Sequence, residues 1–263
     1  MLNKLQLADR ALLKPGWPAP ENIVAYTSTR KGGYSSVPFD SLNLGQHVFD
    51  DPSVVAKNRS LLPNYENYVW LKQTHSTKCV NLADMNNTDS DQVEADASYT
   101  SLKQRVCAVM TADCLPILVC DKQATKVAAI HAGWRGLADG VIENTISKLQ
   151  LDTKNIMAWI GPAISQAHFE VGQEVKDTFS DYPQAFKPNI ETSDNKYFVD
   201  MYLIAKQKLS ALGIQNIYGG DRCTYAESDL FFSHRRATHQ GLEAGFAQVT
   251  TGRMVSAIYI KQS

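Results

Sequence analysis

The stretch "TADCLPILVCDKQATKVAAIHAGWRG", residues 111 to 136, constrains the fold more than any other part of the chain. "LPILVC" and "KVAAIHA" are apolar runs separated by the polar turn "DKQATK". That pattern predicts a buried β-hairpin. A turn centred between Gln123 and Ala124 sets Pro116 opposite His131, with Cys114 diagonal to His131 at the open end. Diagonal neighbours stand ~7–8 Å apart at the backbone, within reach of one metal ion or a shared proton. Cys114 and His131 are distant in sequence but close in space.

Cysteines beside strands usually serve as small core hydrophobes, which is the expectation for Cys79, Cys107, Cys120 and Cys223. Cys114 differs because it follows Asp113 in a polar turn, and it reads as a reactive or ligating thiol. "HAGWRG" then places Gly133 and Gly136 around Arg135, directly before a predicted helix. Glycines there permit close backbone approach, and a helix start leaves N–H groups free, so "GWRGL" suits an anion held with Arg135. A tight strand-to-helix turn with a solvated Arg135 fits the same residues. "KQTHS" offers His75 at a third polar corner, and position alone does not bring it to Cys114.

The rest of the chain reads as one α+β domain over residues 1–263, with mixed sheets covered by helices. "NIVAYTS", "NYVWLKQTH", "KCVNL", "RVCAVM", "NIMAWIGPAI" and "GRMVSAIYI" are strand-like. "LADGVIENTISKLQL" carries Leu137, Val141, Ile142, Thr145 and Leu149 at helical spacing. "FVDMYLIAKQKLSALG" predicts a helix with Asp200 as N-cap and Gly213 at C′. "MNNTDSDQVEAD" and "HQGLEAGFAQ" are expected to be loops or irregular insertions.

Charge narrows the function classes. A formal net charge of −1 with no long basic run argues against nucleic acid and polybasic membrane contacts. No run approaches the roughly 18 apolar residues of a membrane span, and the N-terminus lacks the h-region of a signal peptide. Five cysteines, odd in number and irregularly spaced, suit a reducing compartment, so a cytoplasmic location is expected. Oligomeric state is not legible.

"TSTRKGGYSS", "SLNLGQHVFDD", "NRSLL", "KQTHS", "TADCLPIL", "HAGWRG", "IGPAIS", "FFSHRR" and "TGRMVSAIYI" together resemble, in order, the motifs of the YfiH family, the laccase-domain or multi-functional purine nucleoside enzymes. The resemblance implies a mixed α/β sandwich with layered sheets. It also implies a zinc site made by His75, Cys114 and His131, with copper the other associated metal. The implied activities are phosphorolysis of adenosine, inosine, guanosine and methylthioadenosine, and deamination of adenosine. Purine nucleosides and phosphate are then the partners. Two His and one Cys leave zinc's fourth position open, as in catalytic sites.

Deamination also needs a carboxylate to carry a proton, and Asp113 is nearest in sequence. Arg135 is the candidate for holding phosphate. Arg30, Asn43 and His47 are candidate pocket groups, although hydrogen bonding within a turn suits Asn43 equally. Three other readings accompany the family: a Cys114–His131 amidase editing peptidoglycan precursors, a copper polyphenol oxidase, and a non-enzymatic zinc-binding interaction domain. The sequence departs from the family pattern at His234, where an aromatic residue is expected, and in a longer stretch around His239.

Overall fold

Two β-sheets stacked face to face bury the hairpin in the middle of the molecule. The computed structural model describes residues 11–85, 91–192, 195–243 and 249–262. Strands β1 (Leu12–Leu13), β2 (Ile23–Ser28), β3 (Tyr68–Val69), β6 (Val106–Thr111) and β14 (Met254–Ile260) form one sheet in the order β1-β2-β14-β6-β3. The other contains β4 (Cys79–Asn81), β5 (Ala97–Thr100), β7 (Leu115–Asp121), β8 (Val127–Ala132), β9 (Ile156–Ile160) and β13 (Asn216–Gly219), in the order β13-β9-β7-β8-β5-β4. A small third sheet joins β10 (Glu170–Val171), β12 (Tyr197–Val199) and β11 (Phe186–Pro188).

Buried apolar side chains from both large sheets, among them Val109, Leu118, Ala129, Trp159 and Ile258, meet in the layer between them. The outer face of the six-stranded sheet is covered by α3 (Val141–Leu149) and α5 (Met201–Ala211), which contribute Ile142, Ile146, Ile204 and Leu209. The outer face of the five-stranded sheet is covered by Leu42, Leu44, Leu62 and Trp70. Helices α1 (Pro52–Arg59), α2 (Trp134–Asp139), α4 (Gln173–Thr178) and α6 (His234–Glu243) lie in the connections. No helix of the described residues is long and apolar enough to cross a membrane.

β7 and β8 pair antiparallel with Pro116 opposite His131, the register the turn position dictates. Helix α5 starts at Asp200, whose Oδ1 accepts the Leu203 N–H at 2.9 Å, and Gly213 follows its end at φ +89°. The "LADGVIENTISKLQL" helix departs from expectation. Gly140 at φ +98° breaks it, leaving Leu137 on α2 and Val141 to Leu149 on α3. The expected loop "HQGLEAGFAQ" is also corrected, since residues 239–243 continue α6; its remaining residues, 244–248, lie outside the described residues. In "MNNTDSDQVEAD", residues 86–90 lie outside the described residues, and the end forms an isolated bridge between Glu94 and Lys72.

The two crossings between the sheets explain where a site can form. The chain passes from β3 to β4 through "KQTHS" and from β6 to β7 through Ala112, Asp113 and Cys114. β3 and β6 run parallel, so both crossings leave the first sheet at the same end. β8 finishes at that end too, because Ala132 pairs with Leu115.

Candidate metal centre

His75, Cys114 and His131 meet where these three segments converge. One donor atom from each lies within 4.8 Å of the other two. The two imidazole rings stand edge to face, 4.9 Å between centroids, and His75 Nε2 lies 3.8 Å from Cys114 Sγ. His131 is buried, Cys114 half-buried and His75 exposed, so the group opens to solvent on one side. Gly133 makes the close packing possible. A Cβ there would stand 2.5 Å from His75 Cδ2 and 3.2 Å from the Cys114 sulfur, so the missing side chain is part of the cradle.

Asp96 organises two of the three. Its fully buried carboxylate accepts the backbone N–H groups of Thr74 (3.2 Å), His75 (3.0 Å) and Ser76 (2.6 Å), and the Ser76 hydroxyl at 2.7 Å. These bonds hold the "KQTHS" corner with His75 at φ +61°. Asp96 Oδ1 also lies 2.8 Å from His131 Nδ1, while the Asp96 carbonyl accepts the His131 backbone N–H. A carboxylate only accepts, so His131 carries a proton on Nδ1, and its neutral form presents a bare Nε2. Such a carboxylate behind a ligating histidine fixes its tautomer and orientation.

Electrostatics follow from the geometry. Burial pushes the Cys114 thiol up, but His131 and His75 outweigh it and bring it well below its ordinary value. Burial disfavours a charged His131, yet Cys114 and Asp96 overcome this and raise it. The pair is a thiolate beside an imidazole that favours positive charge. Burial likewise opposes the Asp96 charge, but the bonds from His131 and Ser76 hold it down at about 2. The other thiols go the opposite way. Burial raises Cys79 to about 11 and Cys120 to about 12, and Cys107 higher still. Cys223 departs from the expected core role: it is half-buried and its sulfur accepts from the Ser165 hydroxyl at 3.1 Å.

A slot of about 140 Å³ adjoins Cys114, lined by Trp134, Ile164, Phe169, Met201 and His234 among others. That is below the volume of pockets for whole drug-sized ligands, so it suits one ring system with the remainder outside. Asp113 lines it as well, at φ +104°. Both its oxygens are engaged, Oδ1 with the Thr224 hydroxyl (2.6 Å) and Oδ2 with the Arg235 N–H (2.7 Å). These bonds make Asp113 a fixed wall and argue against the expected role as proton carrier.

The other expected site residues scatter. Arg135 is exposed, its guanidinium 4.3 Å from the centre of the Trp134 ring, and does not line the slot. Arg30 is committed to Asp40, at 3.0 Å, and to backbone carbonyls. Asn43 is fully buried and structural: Nδ2 donates to Asp50, and Oδ1 accepts from Gly45 and Arg253 N–H groups. His47 keeps an exposed edge, while the packing around its ring and the Arg253 charge push it down to about 4. Sequence reasoning missed Asp96. Asp96 could have been sought as the carboxylate that a ligating histidine wants, but no spacing rule says where.

Comparison with known proteins agrees with this architecture. Residues 24–261 match the family model described as multi-copper polyphenol oxidoreductase laccase. The chain is 44% identical over 253 residues to the purine nucleoside phosphorylase YfiH of Escherichia coli K12, covering 95% of this chain and 98% of that one. It is 42% identical over 257 residues to a Haemophilus influenzae purine nucleoside phosphorylase, covering 95% and 99%. Among solved structures, a Neisseria meningitidis protein superposes with a TM-score of 0.85 at 42% identity, over 96% of this chain and all of that one. YlmD of Geobacillus stearothermophilus gives 0.83 at 31% identity, over 98% of each. With the sandwich, the converging motifs and nearly full-length similarity all in agreement, the chain belongs to the YfiH-type, laccase-domain family.

Proposed function

We propose that this protein is a zinc enzyme that cleaves purine nucleosides with phosphate, accepting adenosine, inosine, guanosine and methylthioadenosine. The observation that carries the reading is a three-donor cluster, open on one side, against an apolar slot of one ring system's size. Full-length relatives that bear the name purine nucleoside phosphorylase support it. Two imidazoles and a thiolate suit zinc, and the Gly133 cradle leaves the donors room to converge. A zinc ion held by His75, Cys114 and His131 would supply Lewis acidity to a bound substrate atom.

The chain's own residues do the rest. Trp134, Phe169 and Met201 supply apolar surface for the purine, and aromatic faces suit a planar heterocycle. His234 adds a polar edge at the rim. Asp96 keeps His131 in one tautomer, and the low thiol pKa keeps Cys114 in its ligating form. Adenosine deamination is a second activity we infer for the same centre. Five free thiols fit a reducing, cytoplasmic setting.

Incubating purified protein with inosine, with and without phosphate, tests the reading. Hypoxanthine and ribose 1-phosphate should form only when phosphate is present. A second reading is favoured by one observation: Cys114, His131 and Asp96 also line up as thiol, base and orienting acid. Amide release by metal-free protein, with no nucleoside cleavage, would select it. A multi-copper oxidase needs further copper ligands, and among the described residues only this one group of three could hold a metal. Binding zinc without turning over any of these substrates would leave an interaction domain.

A further inference from the structure

Two arginines near the same end of the sandwich are balanced by acids. Arg30 pairs with Asp40, and Arg59 with Asp91 at 2.7 Å. Arg253 has no carboxylate partner among the described residues. Its Nη1 donates to the carbonyls of Thr251 (2.8 Å) and Gly252 (3.3 Å), leaving Nε and Nη2 without a partner among those residues. Arg253 is half-buried and these two donors keep access to solvent, so a planar fork stands ready to receive an anion.

Its position is built. β14 pairs with β6 so that Met254 faces Thr111, which sets Arg253 beside Ala112, next to Asp113 and Cys114. Asn43 Oδ1 accepts the Arg253 N–H at 2.9 Å, and the Arg253 carbonyl accepts from Leu44 at 3.2 Å. Gly45 then allows close approach: a Cβ there would lie 2.8 Å from Arg253 Cγ and 3.5 Å from His47 Cε1. The "SLNLGQH" loop is thus a seat for the Arg253 side chain with His47 beside it. Burial works against the Arg253 charge, while Cys114 and Asp113 support it. His234, at the slot's rim, also feels Arg253.

We propose that Arg253, with His47 beside it, holds the phosphate that attacks the nucleoside. This rests on the phosphorolysis reading and replaces Arg135 as the phosphate residue. In the step, a phosphate oxygen forms a bond to C1′ while the C1′–N9 bond breaks. Its electron pair leaves with the purine, and the proton of HPO₄²⁻ ends on the base, giving ribose 1-phosphate. Arg253 supplies a two-point fork for the phosphate, and the neutral imidazole of His47 one further donor.

The test uses the zinc-loaded wild type, Arg253→Met and Arg253→Lys, with melting temperature and zinc content as controls. Two quantities are read: the KM for phosphate at saturating inosine, and binding of inorganic phosphate by calorimetry. Arg253→Met should weaken both by about tenfold or more, and Arg253→Lys, which keeps the charge and loses the fork, should fall between. The KM for inosine should change little. Unaltered phosphate binding in a folded, zinc-replete Arg253→Met overturns the proposal. So does a variant that weakens inosine 5′-phosphate binding and leaves inorganic phosphate alone, since the arginine would then serve a phosphorylated substrate. If the wild type cleaves no nucleoside, phosphorolysis is wrong, and with it the role of Arg253 in that step; the binding measurement still decides whether Arg253 holds phosphate.

Discussion

On the inner wall of the site, Asp96 has committed both oxygens and its carbonyl to the "KQTHS" corner and His131. Beside the β6–β7 crossing, Arg253 keeps donors open. A centre that stays put needs ligands held in one geometry, and a buried, saturated carboxylate does that. A ligand that comes and goes needs donors that the protein's own groups leave open until it arrives. With Arg253 as the proposed phosphate holder, hydrogen-bond saturation would separate the scaffold of this site from its binding surface.

The largest effect should come from breaking the inner wall itself. Cys114→Ala removes a donor that no other cysteine can replace, and metal content and turnover should both fall to background. Zinc retained in that variant, measured by elemental analysis, would move the centre elsewhere.

Asp96→Asn should come next. It keeps the shape but loses the charge that orients His131, and zinc affinity should weaken about 10–100-fold in chelator competition. The same variant has a pH signature in metal-free protein. Asp96 sits at about 2 in the fold against an ordinary 3.8, so its stabilisation is present above 3.8 and lost as pH falls toward 2. Acid unfolding of the wild type should steepen in that window and flatten in Asp96→Asn. An unchanged acid profile would mean that Asp96 is not the keystone of the inner wall.

Cys107→Ala and Cys120→Ala sharpen the contrast from the core side. Both thiols are buried and pushed upward by that burial. Each substitution should cost about 1–2 kcal/mol in chemical denaturation and leave zinc and turnover per molecule intact. Smallest of all, Arg135→Met should shift the KM for phosphate by about twofold or less, since an exposed guanidinium stacked on an indole is screened by solvent. A larger shift would return the phosphate to the α2 side of the centre.

Local chemistry was legible in the sequence, and long-range assembly was not. The two apolar runs and the turn of residues 115–132 dictate that Pro116 faces His131, so two of the three candidate metal donors follow from one hairpin. Asp200 and Gly213 mark the ends of α5 for equally local reasons. Asp96 is 35 positions from His131 and 21 from His75 in the chain, and a carboxylate just before a strand gives no sign that two distant segments will donate to it. Arg253 was hidden in the same way, because its neighbours are set by which sheet β14 joins. The break at Gly140 was missed because apolar spacing runs across it, while a left-handed glycine ends one helix and starts another.

The most direct test of the account is the metal stoichiometry of the purified wild type beside His75→Ala, Cys114→Ala and His131→Ala, with Cys107→Ala as the control. The account predicts one zinc per chain in the wild type and the control, and loss of it in each of the other three. Full zinc occupancy in any of those three, or its loss in Cys107→Ala, would contradict it.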